Sequence, residues 1–367
     1  EPTPGPTPTP PPTRTPTPIP TPPPPPPPWI IEALPVGLGP RGIAIHPVTN
    51  LLYVANWQDN SMTMIDPAKK TALPLFTGDG QTSGVGPLDV AISGGRGRYL
   101  VVSNNRDPGD DDTAFIRDFC PSDDQPCAYE GVRGAPQVVD DLCTLSDAPW
   151  GVAVAYSEAL KRDMAFVVEN RKAALAIIGL PILKRPGCNP QTYVRVPVGK
   201  DPRYVVVSPD GNTAFVTNYG EGTVSVVDLP ALADAISKNI PYAADIVKAG
   251  ETPVGIDITP DGRFLYVTNF APGTVSVIDR EKMAVVSTIR VGSNPWGVTI
   301  SPDGSHVYIA NAGSNSISII DITRRPVVET IEHKSLLVPQ EIAVDPSGGR
   351  LYVTNLKGNS VTIIEFR

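Results

Sequence analysis

Histidine is scarce in this chain, with three residues in 367: His46, His306 and His333. Three imidazoles cannot build a multi-copper site. No G-x-S-x-G elbow, H-E-x-x-H pair or phosphate-cradling glycine loop accompanies them, so the usual signatures of serine hydrolases, zinc proteases and nucleotide enzymes are missing. The four cysteines, Cys120, Cys127, Cys143 and Cys188, form neither C-x-x-C nor C-x-x-C-H, which removes zinc-ribbon and c-type haem readings. No run of 18 apolar residues is present to span a bilayer as a helix. Basic side chains number 30 against 38 acidic ones, for a net charge of -8, and no Lys/Arg run follows a phosphate backbone, so nucleic acid is a poor partner.

Proline is abundant instead. Of 44 prolines, 17 lie in the first 28 residues, interleaved with seven threonines. Such a stretch has nothing to pack, and it reads as a polyproline II arm that extends roughly 87 Å at about 3.1 Å per residue. The folding unit is then residues 29–367, about 50 Å across from its expected radius of gyration. Thr3, Thr7, Thr9, Thr13, Thr15, Thr17 and Thr21 are the candidate O-glycosylation sites, because residues 29–367 contain no N-x-S/T acceptor. The first residue is Glu1 and not Met, which fits a mature, exported chain whose leader has been removed. Export and an even, clustered cysteine set favour two disulfides, with Cys120–Cys127 and Cys143–Cys188 as the expected pairing.

The rest of the chain repeats one phrase seven times. A proline opens a short apolar strand, a turn follows, a second strand ends in Asn, and a third strand alternates apolar and hydroxyl residues. The prolines are Pro40, Pro87, Pro149, Pro202, Pro253, Pro295 and Pro339. The asparagines are Asn56, Asn104, Asn170, Asn218, Asn269, Asn311 and Asn355, and each is read as bonding nearby backbone at its strand end. Turns such as Pro209-Asp210-Gly211, Pro260-Asp261-Gly262 and Pro302-Asp303-Gly304 reverse the chain between the first two strands. Third strands such as Thr223 to Asp228 and Thr274 to Asp279 have period two, which predicts half-buried antiparallel strands. A fourth strand leads to the next proline. The last repeat lacks a fourth strand, whereas an orphan strand, Ile30 to Gly37, precedes the first. Pairing the two closes the ring and protects its edges, giving an all-β, closed seven-bladed β-propeller of four-stranded antiparallel blades.

Tyr266-Val267-Thr268-Asn269 and Tyr352-Val353-Thr354-Asn355, with Ser301-Pro302-Asp303-Gly304 and Val277-Ile278-Asp279, resemble the YVTN family of β-propeller repeats. The likeness is strongest from Pro202 to Arg367. Blades two and three depart from it, lacking the Pro-Asp-Gly turn and carrying the cysteines and the acidic insert from Asp107 to Asp112. The resemblance implies kinship with surface-layer proteins, lactonase-like enzymes and the non-catalytic heavy chains of quinone amine dehydrogenases, and so fixes fold better than function.

The residues after the seven prolines, Arg41, Leu88, Trp150, Arg203, Val254, Trp296 and Gln340, are expected to ring one mouth of the central channel. Indoles and guanidiniums among them make Arg41, Trp150, Arg203, Trp296 and Gln340 the candidate binding residues, with no catalytic set and no cofactor expected. The insert offers Asp107, Asp110 and Asp112 to Ca²⁺, though its spacing departs from the alternating calcium-loop pattern and favours a solvated acidic loop. The functional reading at this level is a non-enzymatic secreted or cell-surface propeller that binds partners, in its sharpest form self-assembling into a fibre by docking the proline arm on a neighbouring subunit. Its rivals are a lactonase-like hydrolase using the channel mouth and a periplasmic scaffold for a redox partner.

Overall fold

The computed structural model describes residues 29–76, 86–94, 99–105, 113–118, 141–143, 148–157, 161–180 and 193–366. The proline arm with its threonines, the acidic insert with Asp107, Asp110 and Asp112, and Cys120, Cys127 and Cys188 lie outside them, and the side chain of Cys143 is likewise not described. The disulfide, glycan and calcium expectations therefore fall outside the described residues.

These residues form seven four-stranded antiparallel sheets. Six are consecutive meanders, and the seventh, blade 7, is completed by the strand Trp29–Pro35, which pairs along its whole length with Ser360–Phe366. The first strands pack side by side in a closed cycle from blade 1 (Pro40–Ile45) through blade 7 (Pro339–Val344) and back to blade 1, and so line the central channel. Among the described residues no helix is long and apolar enough to cross a membrane.

One geometry recurs in all seven blades at the inward crossing. The residue before each proline has positive φ: Gly39, Gly86, Ala148, Asp201, Thr252, Asn294 and Val338. Its carbonyl accepts from the backbone N–H that follows the second strand's terminal polar residue, as in Trp57 to Gly39 (3.0 Å) and Phe270 to Thr252 (3.0 Å). The proline then pairs with that terminal residue, and the ladder slips immediately beyond it, as between Pro253 and Ile256. This bulge frees the first two residues after the proline from regular pairing in six blades, and in blade 2 only Leu88, since Asp89 already pairs with Ser103.

Stacking of blades on both sides corrects the expectation of half-buried third strands. Thr274–Asp279 is buried on both faces after its first residue, and only fourth strands such as Ala284–Arg290 are largely exposed. The period-two alternation separates an apolar face, with Val275 and Val277 packed in the core shared by blades 5 and 6, from a buried polar face. On that face Asn269 Nδ2 donates to Thr274 (3.1 Å) and Ser276 (2.9 Å), and Asn218, Asn311, Asn56 and Asn355 use the third-strand hydroxyls of their own blades in the same way. These five asparagines thus tie second strand to third mainly through hydroxyl side chains, where a local backbone turn bond was expected, while Asn170 donates to Asp201 and to the Pro202 carbonyl of the next blade.

Blade 3 carries a second correction. Its proline, Pro149, pairs with Glu169, so Glu169 occupies the asparagine position and Asn170 the next one. The helix Leu229–Lys238, inserted between the third and fourth strands of blade 4, has no counterpart in the repeat; Asp228 caps it by accepting from Ala231 N–H at 2.8 Å.

Candidate functional site: the channel mouth

The second residue after each proline reads Gly42, Asp89, Gly151, Tyr204, Gly255, Gly297 and Glu341. Glycine is required where neighbouring inner strands touch: a Cβ on Gly42 would stand 2.6 Å from the Asp89 Cα, and one on Gly255 2.3 Å from the Trp296 carbonyl oxygen. Only blades 2, 4 and 7 bring a side chain to this level. All three are ionisable, and they meet.

Tyr204 is the link. The Trp296 Nε1–H donates to its hydroxyl at 3.0 Å, and the hydroxyl in turn donates to the Glu341 carboxyl. Glu341 Oε1 is buried without a partner, and so is the Arg41 Nε. Asp89 lies close enough to Glu341 for its charge to oppose ionisation of Glu341, and its own Oδ2 accepts from Val152 N–H at 2.9 Å in the next blade. Burial, and then the Asp89 charge, push Glu341 up to about 8 against the pull of Tyr204 and Arg41. Burial raises Asp89 to about 7, although the N–H groups of Val152 and Val90 oppose it. Burial, followed by the neighbouring Glu341 carboxyl, holds Tyr204 well above the ordinary tyrosine range, so it stays a donor at neutral pH. Two residues beyond Gly255 on the inner strand of blade 5, Asp257 is raised to about 7 by burial and accepts from Ile258 and Ile300 N–H groups at 2.8 and 2.9 Å.

Hydroxyls behind the channel hold this layer. The third residue of the second strand's final phrase is Ser103, Thr217, Thr268 or Thr354 in blades 2, 4, 5 and 7. Thr217 accepts from Tyr204 N–H at 3.0 Å and donates to the Val254 carbonyl of the next blade at 2.7 Å; Thr354 accepts from Glu341 N–H at 3.0 Å and donates to the Arg41 carbonyl at 2.6 Å. Ser103 does the same between Asp89 N–H and the Trp150 carbonyl. Each of the three blades that supply Asp89, Tyr204 and Glu341 has such a bolt fixing the backbone that carries the side chain.

Above this floor lies the rim expected from the sequence. Arg41 stacks over Trp57 (4.9 Å) and Trp296 (5.8 Å), and Arg203 over Trp150 (3.9 Å) and Tyr219 (4.9 Å). Phe270 meets Trp296 edge-on at 5.8 Å. Arg203 is paired with Asp201 at 2.9 Å, whereas no carboxylate among the described residues lies within salt-bridge distance of Arg41. Burial lowers Arg41, with Tyr204 and Glu341 pulling the other way and Arg203 adding repulsion, yet a guanidinium stays charged. Leu88, Val254 and Gln340 are buried in the wall, so the rim consists of four of the seven residues expected there, joined by Trp57, Tyr219 and Phe270.

The imidazoles stand apart from this site. His46 is buried in its turn, where Nδ1 accepts from Val48 and Thr49 N–H groups at 3.2 Å. His306 Nδ1 meets the Ser305 hydroxyl at 2.7 Å, but that hydroxyl also lies 2.7 Å from Asp303, so the order Asp–Ser–His is not that of a nucleophilic triad. Among the described residues no three His, Cys, Asp or Glu side chains are arranged to hold a metal ion.

The model of the family described as lactonase, 7-bladed β-propeller, matches residues 179–291 and 281–367, just over half of the chain. The chain belongs to this lactonase family. No curated protein matches it in sequence. Among solved structures the lactonase-family chain is similar to a streptogramin B lyase (11% identity over 92% of this chain and 98% of that one, TM-score 0.69). It is also similar to the hydrazine synthase of Kuenenia stuttgartiensis (19%, 89% and 95%, 0.66). A catalytically inactive virginiamycin B lyase from Staphylococcus aureus with quinupristin gives 12%, 92% and 100%, and 0.68. At these identities the likeness is one of fold.

The sequence named Arg41, Trp150, Arg203 and Trp296, which the structure places in stacked groups, and did not name Asp89, Tyr204 and Glu341. The signal was available one position further along: a site that is glycine in four repeats and Asp, Tyr or Glu in three.

Proposed function

We propose that this propeller is an acid–base enzyme of lactonase type, acting on a small cyclic ester at the channel mouth. The observation that carries this reading is the orphaned Glu341 Oε1, backed by Tyr204 and Trp296 and within electrostatic reach of Arg41, whose Nε is also buried without a partner among the described residues. A carboxyl that ionises near 8 divides its time between acid and base around neutral pH, as proton transfer requires. In the ionised form Glu341 takes a proton from water as that water attacks the ester carbonyl. Arg41 stabilises the developing oxyanion, and Glu341 returns the proton to the ring oxygen as the C–O bond breaks, giving a hydroxy acid. The aromatic rim seats the ring. Membership of the lactonase family supports this reading over a non-enzymatic one. Export and fibre assembly rest on residues 1–28 and on the cysteines, and no described residue favours them.

The test is hydrolysis of a panel of five- and six-membered lactones by the full chain and by Glu341→Gln. We expect a loss of at least 100-fold in kcat/KM for the variant, and a wild-type rate that rises towards pH 8. No turnover of any lactone, or a Glu341→Gln enzyme with unchanged rate and pH profile, overturns the assignment.

A further inference from the structure

The end of blade 7 remote from the channel mouth carries a separate feature. A pocket of about 370 Å³ opens between blades 6 and 7, and its apolar wall is a tier of three rings. His306 stacks on Tyr308 (centroids 6.3 Å, 24° between planes), and Tyr308 on Phe366 (5.8 Å, 28°). The Tyr308 hydroxyl has no hydrogen-bond partner among the described residues, and burial, with the Asp303 charge, pushes it up to about 12, so it keeps its proton. Asp303 and Glu329 give the rest of the lining a negative charge.

The place where the arm joins the propeller is beside this pocket. Trp29, which directly follows the proline run in sequence, is the register partner of Phe366, whose ring lines the pocket. Trp29 packs on the same apolar cluster as Phe366 and Tyr308. The sequence from Thr15 to Pro28 is uncharged and ends in seven consecutive prolines. Polyproline II segments leave their carbonyls unpaired, lose little entropy on docking, and settle on aromatic rings with a hydroxyl or N–H donor at the tip. Aromatic rings, a free tyrosine donor and carboxylates that repel acidic segments supply that chemistry here.

We propose that the proline run Pro22–Pro28 docks in cis on the His306–Tyr308–Phe366 ring tier of its own propeller. Direct attachment sets a local concentration in the millimolar range or above, which a second copy of the chain does not reach at ordinary protein concentrations. Docking there fixes the direction in which the arm leaves the body and keeps it on the face opposite the channel mouth. The arm is then an oriented stalk that presents the mouth outward, and this holds whether or not the mouth hydrolyses lactones.

His306 reports on the contact, and His333 is an internal standard. Carbethoxylation of full-length protein by diethyl pyrocarbonate, read by peptide mass spectrometry, is compared with a full-length variant in which residues 22–28 are replaced by a Gly-Ser sequence of equal length. We expect His306 to react at least fivefold more slowly in the native chain, with His333 unchanged and no dependence on protein concentration. Full-length Tyr308→Phe, which removes only the donor, is expected to speed His306 labelling about threefold. Equal His306 rates in the native and Gly-Ser chains overturn the proposal, and so does protection that grows with protein concentration, which would place another copy's arm in the pocket.

Discussion

Blades 3 and 5 hold the same buried position with different chemistry. In blade 5 the residue opposite the inward-crossing proline is Asn269, and its amide is satisfied by Thr274 and Ser276. Blade 3 has Ala174 and Ala176 where those hydroxyls would be, and Glu169 where the asparagine would be. Arg195, from the fourth strand and opposite Ala176, forms a two-pronged ion pair with Glu169 at 2.6 and 2.8 Å. Four positions on three strands have therefore changed together. The position demands a partnered polar group more strongly than it demands an asparagine, because an unpaired one there has no water to turn to.

The largest effect expected from this difference is on Arg195. Glu169 is fully buried and Arg195 one-third exposed, so Arg195→Ala leaves a carboxylate in the interior without its cation, at a cost of about 3 kcal/mol or more. The equivalent blade 5 substitution, Thr288→Ala, removes an exposed side chain and should change stability by less than about 0.5 kcal/mol. Conversely, Asn269→Glu should destabilise by several kcal/mol on its own, and adding Thr288→Arg, opposite Ser276, should recover a good part of that loss. Urea denaturation of these four proteins, with wild type and Thr288→Arg alone to complete the cycle, settles the matter. Equal midpoints for Arg195→Ala and Thr288→Ala, or no coupling between Asn269→Glu and Thr288→Arg, would show that the two blades are not alternative solutions to one constraint.

A second contrast separates the buried carboxyls of blades 2, 5 and 7 from the surface ones, and it is readable through pH. In the folded chain Asp89 and Asp257 keep their protons to about pH 7 and Glu341 to about pH 8, whereas unfolded carboxyls ionise near pH 4. Between these limits the folded state binds more protons than the unfolded one. Their stabilising contribution is therefore complete below about pH 4 and is lost as pH rises through 7 to 8, with a slope of about 1.4 kcal/mol per pH unit for each group. Stability measured between pH 5 and 8 should fall, and Asp89→Asn or Glu341→Gln should flatten the fall. A flat or rising curve in the wild type would mean that the channel carboxyls are solvated and ionised like surface ones.

How much of this was legible follows from what repeats. Seven prolines and a completing strand upstream of Pro40 were enough to define seven closed blades, because a strand pattern and its missing partner are properties of sequence order. The exchange of Asn for Glu169 was hidden, since Val-Glu-Asn spells an asparagine one residue out of register and only the ladder shows that Pro149 faces Glu169. The helix at Leu229–Lys238 was overlooked although Asp228 and Pro230 mark its start. The channel floor was missed for another reason. Asp89, Tyr204 and Glu341 are ordinary residues in their own segments, and their meaning arises only when ring closure brings blades 2, 4 and 7 to one axis.

The smallest effect concerns the crossing that all seven blades share. The same left-handed backbone is occupied by Gly39 in blade 1, Asn294 in blade 6 and Val338 in blade 7, with φ of 63°, 49° and 56°. Glycine has no penalty there and asparagine little, but a β-branched side chain meets its own backbone, at about 1–2 kcal/mol for an L-residue. Val338 is tolerated because its neighbours fix it: its N–H donates to Asn315 Oδ1 at 2.8 Å and its carbonyl accepts from Leu356 N–H at 3.1 Å. Both bonds are to the backbone of residue 338 and survive a change of side chain. Val338→Asn should therefore stabilise the propeller by about 0.5–1 kcal/mol, while Asn294→Val should cost a similar amount in blade 6. A thermal midpoint that falls for Val338→Asn would show that packing of the half-buried valine outweighs its backbone strain, and that blade 7 differs from blade 6 in more than φ.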